Sequence, residues 1–229
     1  KAMADPDNGQ LFIGWSGDAA GNETVTEFVV NSNLSLTAGF MAPEILSTTT
    51  APTIDGIKEN TWDGGIGNIE NVITGGVADD SDLSGSWTAL WDNANLYVFV
   101  DIVDDVIIND DNSTWKDDAV EIYIDADNSR GTSYDANDFQ YVFRADNVMT
   151  ETKHSAITNV EYSINTTADG YHVEVKFPWS TLLGATPTTD AKIGFDVQVN
   201  DDDNNGDRDG KKAWYGTADV AWNDPSKFA

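Results

Sequence analysis

The sequence predicts an all-β protein: an antiparallel, jelly-roll-like β-sandwich with a small β appendage at its N-terminus. Three observations carry this. Of the 40 acidic residues, 31 are Asp and nine are Glu, and Asp suits turns and caps where Glu suits helices. Nineteen Gly and eight Trp accompany frequent Val, Thr and Tyr, a composition that fits pleated, half-buried surfaces. Short alternating or apolar runs recur at residues 86–92, 95–103, 119–125, 138–144, 160–166, 170–178 and 192–200. Turn residues separate them at sandwich-like intervals.

The appendage is read from three β-like runs, at residues 10–14, 24–31 and 34–40, punctuated by Gly17-Asp18-Ala19-Ala20-Gly21-Asn22 and Asn31-Ser32-Asn33. Three strands in about 40 residues bury little core alone. A boundary follows at Ser47-Thr48-Thr49-Thr50-Ala51-Pro52, dividing residues 1–46 from residues 51–229. Within the larger part, Tyr171-His172-Val173-Glu174-Val175-Lys176-Phe177 alternates so regularly that Tyr171, Val173, Val175 and Phe177 share one inward face. Asp169-Gly170 reads as the tight turn before it. Helical candidates are short: residues 57–62 and 179–183, the second bracketed by Pro178 and Gly184.

Charge removes several functional classes. Twelve Lys and Arg against 40 acids give a net charge of -28 over 229 residues, which repels nucleic acid and anionic membranes. Cysteine is absent, so neither a disulfide framework nor thiolate chemistry is available. No apolar run approaches 18 residues, and Lys1-Ala2-Met3 lacks an apolar signal core. The sequence reads as a piece of a longer chain, with no membrane insertion of its own.

Two tryptophans stand apart. Trp115 lies in Asn112-Ser113-Thr114-Trp115-Lys116-Asp117-Asp118 and Trp222 in Asp219-Val220-Ala221-Trp222-Asn223-Asp224-Pro225, both polar and turn-forming. An exposed indole ringed by acceptors offers a flat face to the C–H side of a sugar and partners to its hydroxyls. The same positions also suit rings packed on the sandwich rim. Trp62, Trp87, Trp91, Trp179 and Trp214 read as core or rim. The loop from Asp201 to Gly210 places oxygen side chains at Asp201, Asp203, Asn205, Asp207 and Asp209, with Gly206 in the sixth position. That is the first part of an EF-hand-type calcium loop, with Lys212 where the bidentate Glu would stand. Residues 125–128 and 104–111 are weaker candidates of that kind. No carboxylate pair is singled out for glycoside hydrolysis, and His154 and His172 are too few for a zinc or haem site.

Two resemblances follow. Phe12-Ile13-Gly14-Trp15-Ser16-Gly17-Asp18, Val29-Val30-Asn31-Ser32-Asn33 and Leu36-Thr37-Ala38-Gly39-Phe40 resemble the C-terminal half of the divergent B-repeat of internalin-type bacterial surface proteins. That implies a spacer module of secreted, multi-modular proteins. Ala51-Pro52-Thr53-Ile54-Asp55-Gly56, Leu90-Trp91-Asp92, Val120-Glu121-Ile122-Tyr123-Ile124-Asp125, Ile193-Gly194-Phe195-Asp196 and Val199-Asn200-Asp201 resemble a family 9 carbohydrate-binding module, as do residues 115–118, 138–141 and 222–228. This resemblance implies a β-sandwich appended to a secreted bacterial glycan-degrading enzyme, monomeric, carrying structural calcium. It implies a sugar sandwiched at a chain end by Trp115 and Trp222, with Glu121 and Gln140 as polar partners. Val142 stands where the family has Arg, and Arg144, on the same strand face, would stand in; Asp219 stands where the family often has Asn. The expected function is therefore non-catalytic binding of a neutral cello- or xylo-oligosaccharide through Trp115, Trp222, Glu121, Gln140, Arg144 and Asp219. The alternatives are a calcium-stabilised surface or adhesion module without a sugar site, or a glycosidase or lyase domain. Calcium is expected to act on stability, with sugar binding persisting after chelation.

Overall fold

A computed structural model describes residues 1–4, 11–30, 33–41, 43–63 and 67–229. The chain forms two compact units, Lys1–Glu44 and Ile45–Ala229. In the first, β1 (Ala2–Met3), β2 (Leu11–Gly17), β3 (Val25–Thr26) and β4 (Leu36–Met41) form two antiparallel pairs, β1 with β3 and β2 with β4. Phe12 meets Trp15 and Phe40 edge-on at 5.6 and 5.8 Å. The run expected at residues 24–31 is a strand only over Val25–Thr26. Val29 and Val30 beyond it are 79% and 68% exposed, so alternation there has no surface to bury against. Gln10, Asn31 and Ser32, which belong to the expected runs and the repeat motif, lie outside the described residues.

The second unit begins with β5 (Leu46–Ser47), which pairs in parallel with a later strand, so its first pairing lies just before the boundary read at residues 47–52. In order follow β6 (Gly67–Asn68), β7 (Asn71–Thr74), β8 (Leu83–Trp91), β9 (Asn95–Asp104), β10 (Ala119–Asp125), β11 (Asp138–Arg144), β12 (Val148–Glu151), β13 (Glu161–Thr166), β14 (Gly170–Pro178), β15 (Gly194–Asp201) and β16 (Gly210–Ala213). One sheet runs β12-β11-β10-β15-β16-β7, the other β13-β14-β9-β8-β5 with β6 also on β8. The core between them is set by period-two alternation. Tyr171, Val173, Val175 and Phe177 of β14 are fully buried, in one cluster with Val120, Ile122 and Ile124 of β10 and Tyr141 and Phe143 of β11. At the β13–β14 turn, Gly170 has φ +151°, and a Cβ there would stand 2.0 Å from the Ile102 carbonyl oxygen; only glycine fits.

The helices are minimal. The expected 57–62 segment is 3₁₀ only over Asn60–Trp62, because Gly56 at φ +80° turns the chain and hands its N–H to Glu174. The second candidate is a single turn, α1 (Trp179–Leu182).

Candidate functional site

Strand register decides which side chains share the outer face of the β10–β16 sheet. Glu121 lies opposite Val142 and Gln198, Tyr123 opposite Gln140, and Asn200 opposite Lys211. Directly opposed residues point the same way, so Glu121, Tyr123, Gln140, Asn200 and Lys211 share one face while their apolar neighbours fill the core. Every residue of β10 is consequently buried.

At the centre, Glu121 is 1% exposed and fully engaged. Its Oε1 accepts from Asn200 Nδ2 at 2.7 Å and Arg208 at 3.4 Å. Its Oε2 accepts from Gln140 Nε2 at 3.0 Å and the Tyr123 hydroxyl, with Lys211 Nζ at 3.1 Å. Burial works against its charge, but Lys211 above all, then the Tyr123 bond, Arg208 and Asn200, hold its carboxyl down to about 2. It is an ionised acceptor at neutral pH. A glycosidase acid needs the opposite shift, so the site's geometry serves binding.

The two exposed tryptophans are wired into this centre. Trp115 and Trp222 are 42% and 50% exposed, whereas Trp62, Trp87, Trp179 and Trp214 are buried. Asn200 Nδ2 donates to the Trp115 carbonyl at 3.1 Å, and the Arg208 guanidinium lies 5.5 Å from the Trp115 ring centroid. Arg208 donates to Asn200 Oδ1 at 3.0 Å and pairs with Asp219. Trp222 Nε1 donates to the Asp219 carbonyl at 3.2 Å, and Lys153 Nζ to the Trp222 carbonyl at 2.6 Å. A continuous polar path thus joins one indole to the other. Along it, Arg208 and Asp219 keep 15% and 21% of their side chains exposed, so they offer a donor and an acceptor to solvent above the closed floor of Glu121 and Gln140.

The structure therefore brings Trp115, Trp222, Glu121, Gln140 and Asp219 together, but not Arg144. Arg144 shares the sheet face, yet its guanidinium binds Asp117 at 2.7 Å, Asp146 at 2.9 Å and the Asp111 carbonyl at 2.7 Å. It fastens the loop that carries Trp115. Sequence reasoning missed Arg208, Lys211 and Asn200 as site residues. Arg208 stands among five aspartates, and Lys211-Lys212 reads as a solvated pair, though both are buried on β16.

Of the expected cation loop, the structure brings Asp201 and Asp203 together, joined by Asp82 from outside the loop. Residues 202–209 connect β15 to β16, with Asp201 paired to Gly210, and only part of the five-residue set converges. Asp207 is drawn to Lys116, Asp209 holds the Asn204 amide, and Asn205 is exposed. Asp201 also converges with Asp104 and Asp118; a separate group is Asp110, Asp117 and Asp202. Four buried oxygens here have no donor: Asp104 Oδ2, both of Asp201, and Asp202 Oδ2. Burial first, then mutual repulsion, pushes Asp104, Asp118 and Asp201 well above the usual carboxylate range. Hard oxygens without donors fit a divalent cation. Asp125, by contrast, caps its own loop, accepting from the Ser129 and Arg130 amides at 3.0 and 2.8 Å.

A β-sandwich presenting exposed indoles beside a fixed, ionised polar network is a sugar-binding module without catalytic machinery. Residues 54–229 match the profile described as carbohydrate family 9 binding domain-like, and the chain belongs to that family. Residues 1–44 match the divergent InlB B-repeat domain. The chain is 34% identical over 181 residues to endo-1,4-beta-xylanase A of Thermotoga neapolitana and 30% identical over 178 residues to that of Thermoanaerobacterium saccharolyticum. Each match covers 77% of this chain but only 16% and 15% of those relatives. Among solved structures, a family 9 module from Caldicellulosiruptor kristjanssonii in complex with glucose is 26% identical, with TM-score 0.71 over 81% of this chain and 92% of that one. The same organism's module in complex with cellotriose, 24% identical at TM-score 0.68, covers 81% of this chain and 90% of that one and shares the fold.

Proposed function

We propose that the module binds a neutral glycan, a cello- or xylo-oligosaccharide, at its reducing end between Trp115 and Trp222. It would thereby hold a linked, secreted bacterial glycan-degrading enzyme on its substrate by raising local concentration, with residues 1–44 as a spacer. The observation that carries this reading is the unbroken polar path from one exposed indole to the other through Asn200, Arg208 and Asp219. The similarity to a glucose-bound module and to bacterial xylanases supports the ligand class and the linked enzyme. A net charge of -28 favours a neutral ligand over pectate or alginate. Calcium held by Asp104, Asp118 and Asp201 would offset their repulsion and join the ends of β9, β10 and β15, stabilising the fold by mass action.

Calorimetric titration with cellotriose and xylotriose tests this, beside the same sugars reduced to terminal alditols. Reduction opens the terminal ring and removes the flat face an indole needs. One site per chain for the intact sugars and none for the alditols is expected. Flat titrations across all neutral sugars overturn the reading in favour of a surface module without a sugar site. Equal binding of the alditols overturns its chain-end part.

A further inference from the structure

We propose that the sugar platform and the acidic shell beneath it are one coupled unit. A divalent cation between Asp110, Asp117 and Asp202 raises sugar affinity, and bound sugar raises cation affinity by the same factor. The inference rests on the sugar-binding reading above. One carboxylate oxygen from each of the three lies within 4.8 Å of the others. Independently, Asp202 is fully buried and its Oδ2 has no hydrogen-bond partner. Arg144 offsets the charge of Asp117, leaving two uncompensated.

The position of these residues makes the coupling. Asp117 follows the 3₁₀ turn Thr114–Lys116 that carries Trp115, and its Oδ1 accepts the Asp111 N–H at 3.0 Å, closing that loop at its foot. Asp202 begins the connection that carries Arg208. The two loops meet again at the top, where Lys116 pairs with Asp207 and Arg208 covers Trp115. They are thus joined above by opposite charges, while below, where the Asp202 N–H donates to Asp118 Oδ1 at 2.9 Å, the carboxylates of Asp110 and Asp202 repel each other. A cation at the foot reverses the lower repulsion and fixes Trp115 and Arg208 in their mutual positions. This departs from the expectation that calcium acts mainly on stability and that sugar binding persists after chelation.

Linkage supplies the test, because coupling between two binding events is reciprocal. Cellotriose affinity of the full chain is measured in calcium and after chelation, at a temperature where circular dichroism shows both forms folded. Calcium affinity is then measured with and without saturating cellotriose. We expect sugar affinity to fall about fivefold or more on chelation, with the same factor in the calcium titration. In Asp110→Asn, an exposed position, the ratio between the two sugar affinities should collapse towards one. Equal sugar affinity with and without calcium, no calcium binding at all, or an undiminished ratio in Asp110→Asn would each overturn the coupling while leaving the sugar site standing. Absence of sugar binding in both states would remove the sugar-binding reading and the coupling with it.

Discussion

Glu121 and Glu174 occupy equivalent positions on opposite sheets, and their surroundings differ. Both are outer-face carboxylates, 1% and 0% exposed. Glu174 is sealed by neutral donors: the Asp55 and Gly56 amides at 2.8 and 2.6 Å and Trp62 Nε1 at 2.8 Å. A strap of residues 55–62 covers it, and burial, the largest influence, pushes its carboxyl up. Glu121 is held by two charged donors, the buried Lys211 and the partly exposed Arg208, together with neutral ones, and its carboxyl is driven down to about 2. The first arrangement uses a carboxylate to anchor a strap; the second keeps it charged beneath two exposed rings. The two acids differ in the charge of their partners, and only Glu121 has one, Arg208, that reaches the surface beside an exposed indole.

The largest break in this comparison is Glu121→Ala. It leaves the buried Lys211 with Asp219 as its remaining carboxylate, breaking a buried ion pair worth on the order of 3–5 kcal/mol of stability, measurable by urea unfolding, with sugar binding lost. Glu174→Ala, removing only neutral bonds, should cost about 1–3 kcal/mol and leave cellotriose affinity unchanged by calorimetry. Next come the rings: Trp115→Ala and Trp222→Ala should each lose about 1–3 kcal/mol of sugar binding with little change in melting temperature. Arg208→Met should weaken binding by a comparable ~1.5–3 kcal/mol as a charged donor is lost.

The smallest effect is in pH, and its sign separates the two acids. Glu121 has a folded value below its ordinary 4.5, so its stabilisation is present above about pH 4.5 and is lost as pH falls towards about 2. Glu174 is shifted upward, so its ionisation opposes folding as pH rises through its ordinary 4.5 towards its raised value. Comparing denaturant midpoints of Glu121→Gln and Glu174→Gln across pH 2–8, about the titration range of carboxylates, should therefore show opposite trends against the parent chain. Parallel trends would erase the distinction. Separately, chelation should lower the melting temperature of the parent chain, and a curve indifferent to chelation would reduce the aspartate shell to solvated loops.

How much of this is legible in the sequence follows from the range of the forces involved. The face shared by Tyr171, Val173, Val175 and Phe177 is local, and period two places it without knowledge of the partner sheet. Trp115 and Trp222 are legible because their neighbours are too polar to bury an indole. Arg208 and Lys211 are not, since Glu121, which claims both, lies on β10 with β15 between it and β16, and Asp219 lies in the segment beyond β16. The carboxylate groups are only partly legible for the same reason: Asp201 meets Asp104 and Asp118 only once β9, β10 and β15 are in register. Strand β16 escapes because two adjacent lysines resemble a solvated surface until their partners are placed.

Under the proposed function, sugar sits over Glu121 and not over Glu174. The eight tryptophans let it be read directly from indole N–H signals in a nitrogen-15 correlation spectrum, assigned by single substitutions and followed during cellotriose addition. The account predicts that the Trp115 and Trp222 signals move together to saturation while the Trp62 signal, bonded to Glu174, stays fixed. Movement of Trp62 with Trp115 and Trp222 unchanged would contradict it.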